Sequence, residues 1–268
     1  MTGGLILALG MLLMASGVFQ LLVLVSAGNF ENLIEYMDAA FQEIGLKINT
    51  NKTKIMTIAK NLYTPSPIKL RDHTFQQVQK FRYLGSLITS DSRCTDDIIA
   101  RITMAKRAFI SKNYLFRSKI AESIKKSLIK IYIWSMALYG CEAWTMKQRD
   151  RDRLEACEMW CWRCMKRISW KEKKTNEEVP DMLKEKRIIL KTLEERRGKM
   201  FGHLFRHDTF LCTLIEGKVE ARREKGRPRR AFMDQIKEKV GVVSYIEVKQ
   251  LAHNREDWRR LHRQEHSS

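Results

Sequence analysis

The sequence predicts an α+β protein, predominantly α-helical, with a small β region ahead of a long run of helices. Three observations predict it. Only 4 of 268 residues are proline, and Lys, Arg, Leu, Ile and Met are plentiful, a composition that favours helix. Between residues 46 and 89 the apolar residues fall in short extended runs punctuated by Asn, Asp, Pro and Gly, the pattern of strands and turns. Beyond residue 95 their spacing changes to threes and fours, the helical period. The length suits one large domain or two small ones.

Taken in order, Leu5 to Gly28 carries no charge over 24 residues. That is long enough to cross a bilayer as one helix, so a membrane is one partner this stretch implies and a protein core is the alternative. Val25-Ser26-Ala27 resembles a signal-peptidase site. No Lys or Arg precedes the stretch, however, and the run exceeds the ~7–15 apolar residues of a signal peptide. The sequon at Asn51 and Thr53 is chance-level.

Asn29 to Ile44 places Phe30, Leu33, Ile34, Met37 and Phe41 on one helical face, and Gly45 stops that helix. Leu46–Asn49 and Lys54–Ala59 read as extended runs around a polar turn. Pro65 and Pro67 break the chain, and Asp72-His73 reads as a tight turn between short strands. Ile98, Ile102, Ala105 and Phe109 then open a long helix. Ser118 is the expected N-cap of the next, with Ile120, Ile124, Leu128, Ile131 and Ser135 as its face. Gly140 interrupts. Arg149 to Ser169 is a third helix whose seam of Leu154, Cys157, Cys161, Cys164 and Ile168 steps by 3 and 4. Two more helices are expected over Asn176 to Phe205, then a basic loop, then short basic helices. The expected divisions are 1–28, 29–90, 91–170 and 171–268.

Charge is the strongest functional signal. The net charge is +19. Residues 1–100 hold nine Lys/Arg against eight Asp/Glu, whereas residues 101–268 hold 41 against 23, a net of +18. A surplus confined to one part of a chain points to a polyanion, most simply RNA or DNA bound without sequence preference. A well-solvated helical surface is the plainer account of the same charge. Six cysteines, three of them within eight residues, are too few and too scattered for a secreted disulfide framework. Oligomeric state is not legible.

Seven pieces then occur in one order: "GLKINTNKTKIM", "VQKFRYLGSLIT", "RITMAKRAF", "LYGCEAWTM", "GHLFRH", "KGRPRRAFMDQI" and "REDWRR". Together they resemble the C-terminal part of a reverse transcriptase of non-LTR (LINE-like, jockey-related) retrotransposons, over about residues 23–262. The resemblance implies a partial palm over 29–90 that includes a primer-grip hairpin, with Phe81, Tyr83, Leu84 and Gly85 as the grip. Thumb-like helices would follow over 91–170, then a basic helical extension. It also implies phosphate contacts along a template–primer duplex, for which Lys52, Lys54, Lys106 and Arg107 are candidates. An intact member needs carboxylates that hold two Mg²⁺ ions, on a Tyr/Phe-Ala-Asp-Asp turn directly before a Val/Leu-rich strand. Leu22 to Gly28 matches that strand. The two positions before it are Gln20 and Leu21, and the first acidic residue of the chain is Glu31. The expectation is therefore no polymerase activity, no cofactor and no metal, with the rest of the catalytic machinery upstream of Met1.

Other motifs carry weaker chemistry. Cys157-x3-Cys161-x2-Cys164 has an iron–sulfur spacing, but the three residues fall on a helical seam, where thiols pack rather than converge. Cys161 and Cys164 with His203 and His207 mimic a zinc set, but 38 residues intervene, far more than in a finger. Arg222, Arg223, Lys225, Arg227, Arg229 and Arg230 surround a Gly-Arg-Pro core like that of an AT-hook. Glu224 and Lys225 stand where the hook has Pro-Arg, so phosphate contact by a basic loop is the better reading. Of six tryptophans, Trp258 is the one expected to stack on bases, flanked by Arg255, Arg259 and Arg260. Core packing is the expectation for the other five.

Overall fold

The computed structural model describes residues 5–14, 17–26, 30–45, 48–49, 53–58, 67–70, 73–207, 212, 236–237 and 240–263. The protein is α+β and predominantly helical. It divides into two compact units, residues 1–100 and 101–268. The charge asymmetry follows the same boundary: +1 in the first unit, +18 in the second.

The first unit is built on a five-stranded sheet of order β2-β1-β3-β5-β4. Its strands are β1 (Leu5–Met14), β2 (Gly17–Ser26), β3 (Lys54–Ile58), β4 (Ile68–Leu70) and β5 (His73–Gln77). β1 pairs antiparallel with both β2 and β3, β3 pairs parallel with β5, and β4 closes the edge antiparallel to β5. The successive residues Ile55 and Met56 of the central β3 are both fully buried. Side chains alternate across a strand, so both faces of the sheet are covered there.

Three sequence expectations are corrected in this unit. Leu5 to Gly28 is not one helix: two strands account for it, and among the described residues no helix is long and apolar enough to cross a membrane. An apolar run satisfies its backbone equally by pairing, and β1 does so on both edges. Gln20 and Leu21 do not sit at a turn before a strand. They lie inside β2, paired with Met11 and Gly10. His73 begins β5 and pairs with Leu70, so it belongs to a strand and not to the expected turn, while Asp72 lies outside the described residues.

The helix α1 (Phe30–Glu43) ends as predicted, with Gly45 at φ +72° and its N–H donating to the Gln42 carbonyl. A hairpin of β6 (Lys80–Tyr83) and β7 (Ser86–Thr89) follows the sheet. The long helix α2 (Thr95–Ser111) then crosses the boundary between the units, with Ile98, Ile102, Ala105 and Phe109 all buried as their spacing predicted.

In the second unit, α3 (Asn113–Arg117) precedes α4 (Glu122–Leu128), a π-turn (Ile129–Ile133) and the short α5 (Trp134–Ala137). Ser118 ends α3 rather than starting α4, and its hydroxyl donates to the Leu115 carbonyl. The expected face is also corrected. Ile120, Ile124 and Ile131 are exposed, while Ile129, Ile133, Trp134, Ala137 and Leu138 are buried. The buried set runs through and beyond the π-turn at Ile129–Ile133, off the predicted seam, and carries larger apolar groups than a seam ending in Ser135.

After a left-handed Gly140, α6 (Gln148–Lys166), α7 (Glu178–Leu183) and α8 (Ile189–Arg206) follow. Two short helices complete the described chain: α9 (Tyr245–His253) and α10 (Arg255–Arg263). Their starts are capped by side chains. Ser244 accepts from the Glu247 N–H and Asn254 accepts from those of Glu256 and Asp257. Phe201, Leu204, Phe205, Cys212, Val240, Val248, Ala252 and Trp258 form one core joining α8, α9 and α10.

Candidate nucleic-acid interface

The candidate site is framed by the start and the end of α8. At the start, Ile188 occupies the N-cap position and has no side chain able to cap. Glu158 of α6 supplies the carboxylate instead, accepting from the Ile188 N–H at 3.0 Å and the Ile189 N–H at 3.4 Å. Glu158 is 1% exposed. Burial raises its pKa, opposed by those two donors. At the other end, α10 lies across α8 through Trp258, which is 3% exposed and whose indole N–H donates to the Gly198 carbonyl at 2.7 Å. The close approach depends on Gly202, where a Cβ would stand 2.4 Å from the indole nitrogen.

Trp258 is therefore corrected from base-stacking residue to core residue: its ring is enclosed and its one polar atom is committed. Its flanking arginines fare differently. Arg255, Arg259 and Arg260 are exposed on α10. Arg260 lies 3.7 Å from Asp257, while Arg255 and Arg259 have no carboxylate partner among the described residues. Arg206, the last residue of α8, was not singled out from the sequence although it lies inside the quoted "GHLFRH". Its guanidinium donates to the Ala252 carbonyl at 2.8 Å. Its pKa is lowered by partial burial and then by the charges of Arg255 and Arg259, so the three cations lie within Coulombic reach.

The remaining candidates are dispersed. Lys54 of β3 donates to Gln76 across the sheet. Lys106 of α2 lies 5.3 Å above the Trp160 ring, a cation–π contact, and its neighbour Arg107 is exposed. Lys52, Arg222, Arg223, Lys225, Arg227, Arg229 and Arg230 lie outside the described residues. Trp134, Trp144 and Trp162 are buried, in keeping with core packing.

The grip-like hairpin turns its aromatic side inward. Phe81, Tyr83, Val78 and Ile88 pack against buried Met56 of β3. Tyr83 pairs with Ser86, so Leu84 and Gly85 alone make the turn, at φ +46° and +86°. Two central residues at positive φ define the hairpin turn that matches strand twist. The hairpin is fixed to the start of α2: Asp97 accepts the Leu87 N–H at 2.9 Å, and the Lys80 ammonium lies 2.6 Å from Asp96. Its outward residues are Lys80, Arg82 and Leu84.

The thiols stay in the core. Cys157 and Cys161 are buried one turn apart in α6, and the interaction with Cys157 together with burial raises the Cys161 pKa. Burial pushes the Cys141 thiol up to about 12. His203 and His207 face each other on α8 with ring centroids 4.4 Å apart, both exposed, whereas Cys161 is enclosed in α6. Among the described residues, no three His, Cys, Asp or Glu side chains gather as a metal would require.

No protein-family model, no curated protein and no solved structure matches this chain.

Proposed function

We propose that the chain is a catalytically inactive remnant of a non-LTR retrotransposon reverse transcriptase that retains non-specific binding to RNA or DNA. The observation that carries the binding is the net charge of +18 on a compact helical unit of residues 101–268. Helices that present Lys and Arg to solvent neutralise phosphates and release counterions, and this needs no base readout. The seven ordered pieces from "GLKINTNKTKIM" to "REDWRR" supply the family reading. The two-residue hairpin at Leu84-Gly85, followed by basic helices, is the arrangement that such a grip and thumb require.

The proposed inactivity is supported by the two positions that the resemblance matches to the catalytic Asp-Asp turn, Gln20 and Leu21, neither of which offers a carboxylate to hold Mg²⁺. Two measurements test the two parts. Purified chain should bind labelled duplexes of unrelated sequence equally, and the affinity should fall steeply with salt; binding that ignores salt overturns the nucleic-acid part. Primer extension with Mg²⁺ should give no product above a mock purification, and product above that level overturns the inactivity.

A further inference from the structure

We propose that Arg206, Arg255 and Arg259 form a clamp for the phosphodiester groups of a nucleic-acid backbone, built where the last turn of α8 meets the first turns of α10. The inference rests on the nucleic-acid reading above and gives it a place.

Trp258 sets the geometry. With its indole fixed over Gly202 and hydrogen-bonded to Gly198, α10 cannot rotate on α8. Arg255 and Arg259 lie about 60° and 100° round the helix from Trp258, on the same side, and one turn apart. Both therefore emerge together beside the buried ring. On α8, Arg206 follows Gly202 by one turn. Its Nη1 lies 3.1 Å from where a Gly202 Cβ would stand and donates to Ala252, two residues before Asn254 caps α10. That contact uses one of five guanidinium donors and leaves the others free to point outward.

Among the described residues the cluster is uncompensated. Among the described residues none of the three arginines has a carboxylate partner, and Asp257 is taken by Arg260 and Asn254. Burial and mutual repulsion both act against the charge on Arg206. Core packing of Trp258 holds the like charges together, and a bound anion relieves the repulsion. Guanidinium forks match phosphate oxygens in pairs, which a single ammonium cannot do. A phosphate of a nucleic-acid strand is the occupant that suits this cluster, because the net charge of +18 on the unit matches an extended polyanion rather than a single headgroup.

The test is fluorescence anisotropy of a labelled duplex with the full chain, from about 50 to 200 mM salt. R255Q/R259Q is the main variant, since neither side chain is committed to an ion pair among the described residues. Its affinity should fall at low salt, and the slope of log K against log salt should become shallower by roughly 2, about 0.9 per lost phosphate contact. R206K keeps charge and one donor for Ala252 but loses the fork; it should bind between wild type and the double variant. R93Q in the first unit should leave the slope unchanged. Far-UV circular dichroism and melting temperature identify any variant that has failed to fold, and R206K then stands as the remaining probe. Steep salt dependence in wild type with an unchanged slope in R255Q/R259Q overturns the clamp alone. Absence of wild-type binding at low salt overturns the nucleic-acid reading and the clamp with it. Binding of phosphatidylserine vesicles that depends on these arginines, without duplex binding, assigns the site to lipid phosphate and overturns the proposal.

Discussion

The indole of Trp258 donates to the carbonyl of Gly198, 60 residues earlier in the chain, across a groove left open by Gly202. This contact joins α8 to α10 and makes Gly202 an unusual helical glycine. At an open position, Gly→Ala in a helix stabilises by up to ~1 kcal/mol. Here a methyl would stand 2.4 Å from the indole nitrogen. Overpacking of ~1–3 kcal/mol outweighs the propensity gain, so G202A should lower stability. W258A should cost more, ~3–5 kcal/mol, through lost burial. Urea denaturation of both variants checks the order, and a G202A protein more stable than wild type would refute the close packing.

Glu158 should show its burial through pH. Its folded pKa is raised above the ordinary value of 4.5, so the folded state binds the proton more tightly than the unfolded state. Stability relative to E158Q should therefore increase as pH falls from the raised value towards 4.5, and level off below it. E158A leaves the Ile188 and Ile189 N–H groups without their acceptor and should cost ~1–3 kcal/mol at neutral pH. E158Q keeps an acceptor oxygen and should cost less. Chemical denaturation of the three proteins at several pH values provides the readout; equal costs for Ala and Gln would argue against the capping role.

Leu84 occupies a left-handed conformation that a branched side chain resists, and it is 64% exposed. Replacing it with Asn, which tolerates that conformation, should stabilise the hairpin by about 1 kcal/mol. A melting temperature that falls in L84N would show that contacts of the leucine outweigh its backbone strain.

Thiol labelling should divide the cysteines. Cys94 and Cys164 are half-buried, while Cys141, Cys157, Cys161 and Cys212 are enclosed. A thiol-specific chromogenic reagent should reach at most the first two in native protein and all six after denaturation. The high pKa of Cys141 adds to its protection, because the thiolate is the reacting species. Rapid native labelling of four or more thiols would contradict the packing of α6.

Much of this architecture was written in local pattern. Gly45 as a helix stop, the Ile98–Phe109 face and the Leu154, Cys157 and Cys161 part of the α6 seam all depend on residues close in sequence, where period and turn chemistry decide. The charge asymmetry needed only counting, and it coincides with the boundary between the two units. What local pattern could not decide was direction and partnership. Whether an uncharged run becomes one helix or two strands depends on which strand it can pair with, and β3 lies more than 25 residues further on. The buried side of the π-turn and α5 turned on which face carried the larger apolar groups for the tertiary core. Trp258 looked like a stacking residue because its neighbours are arginines, yet the distant Gly202 made room for its ring and the Gly198 carbonyl took its N–H. That burial is also what places Arg255 and Arg259 beside Arg206. The sequence by itself determined the fold class and the sign and asymmetry of the chain's own charge, while tertiary packing decided which cations meet, because meeting requires a surface that only α8 and α10 together create.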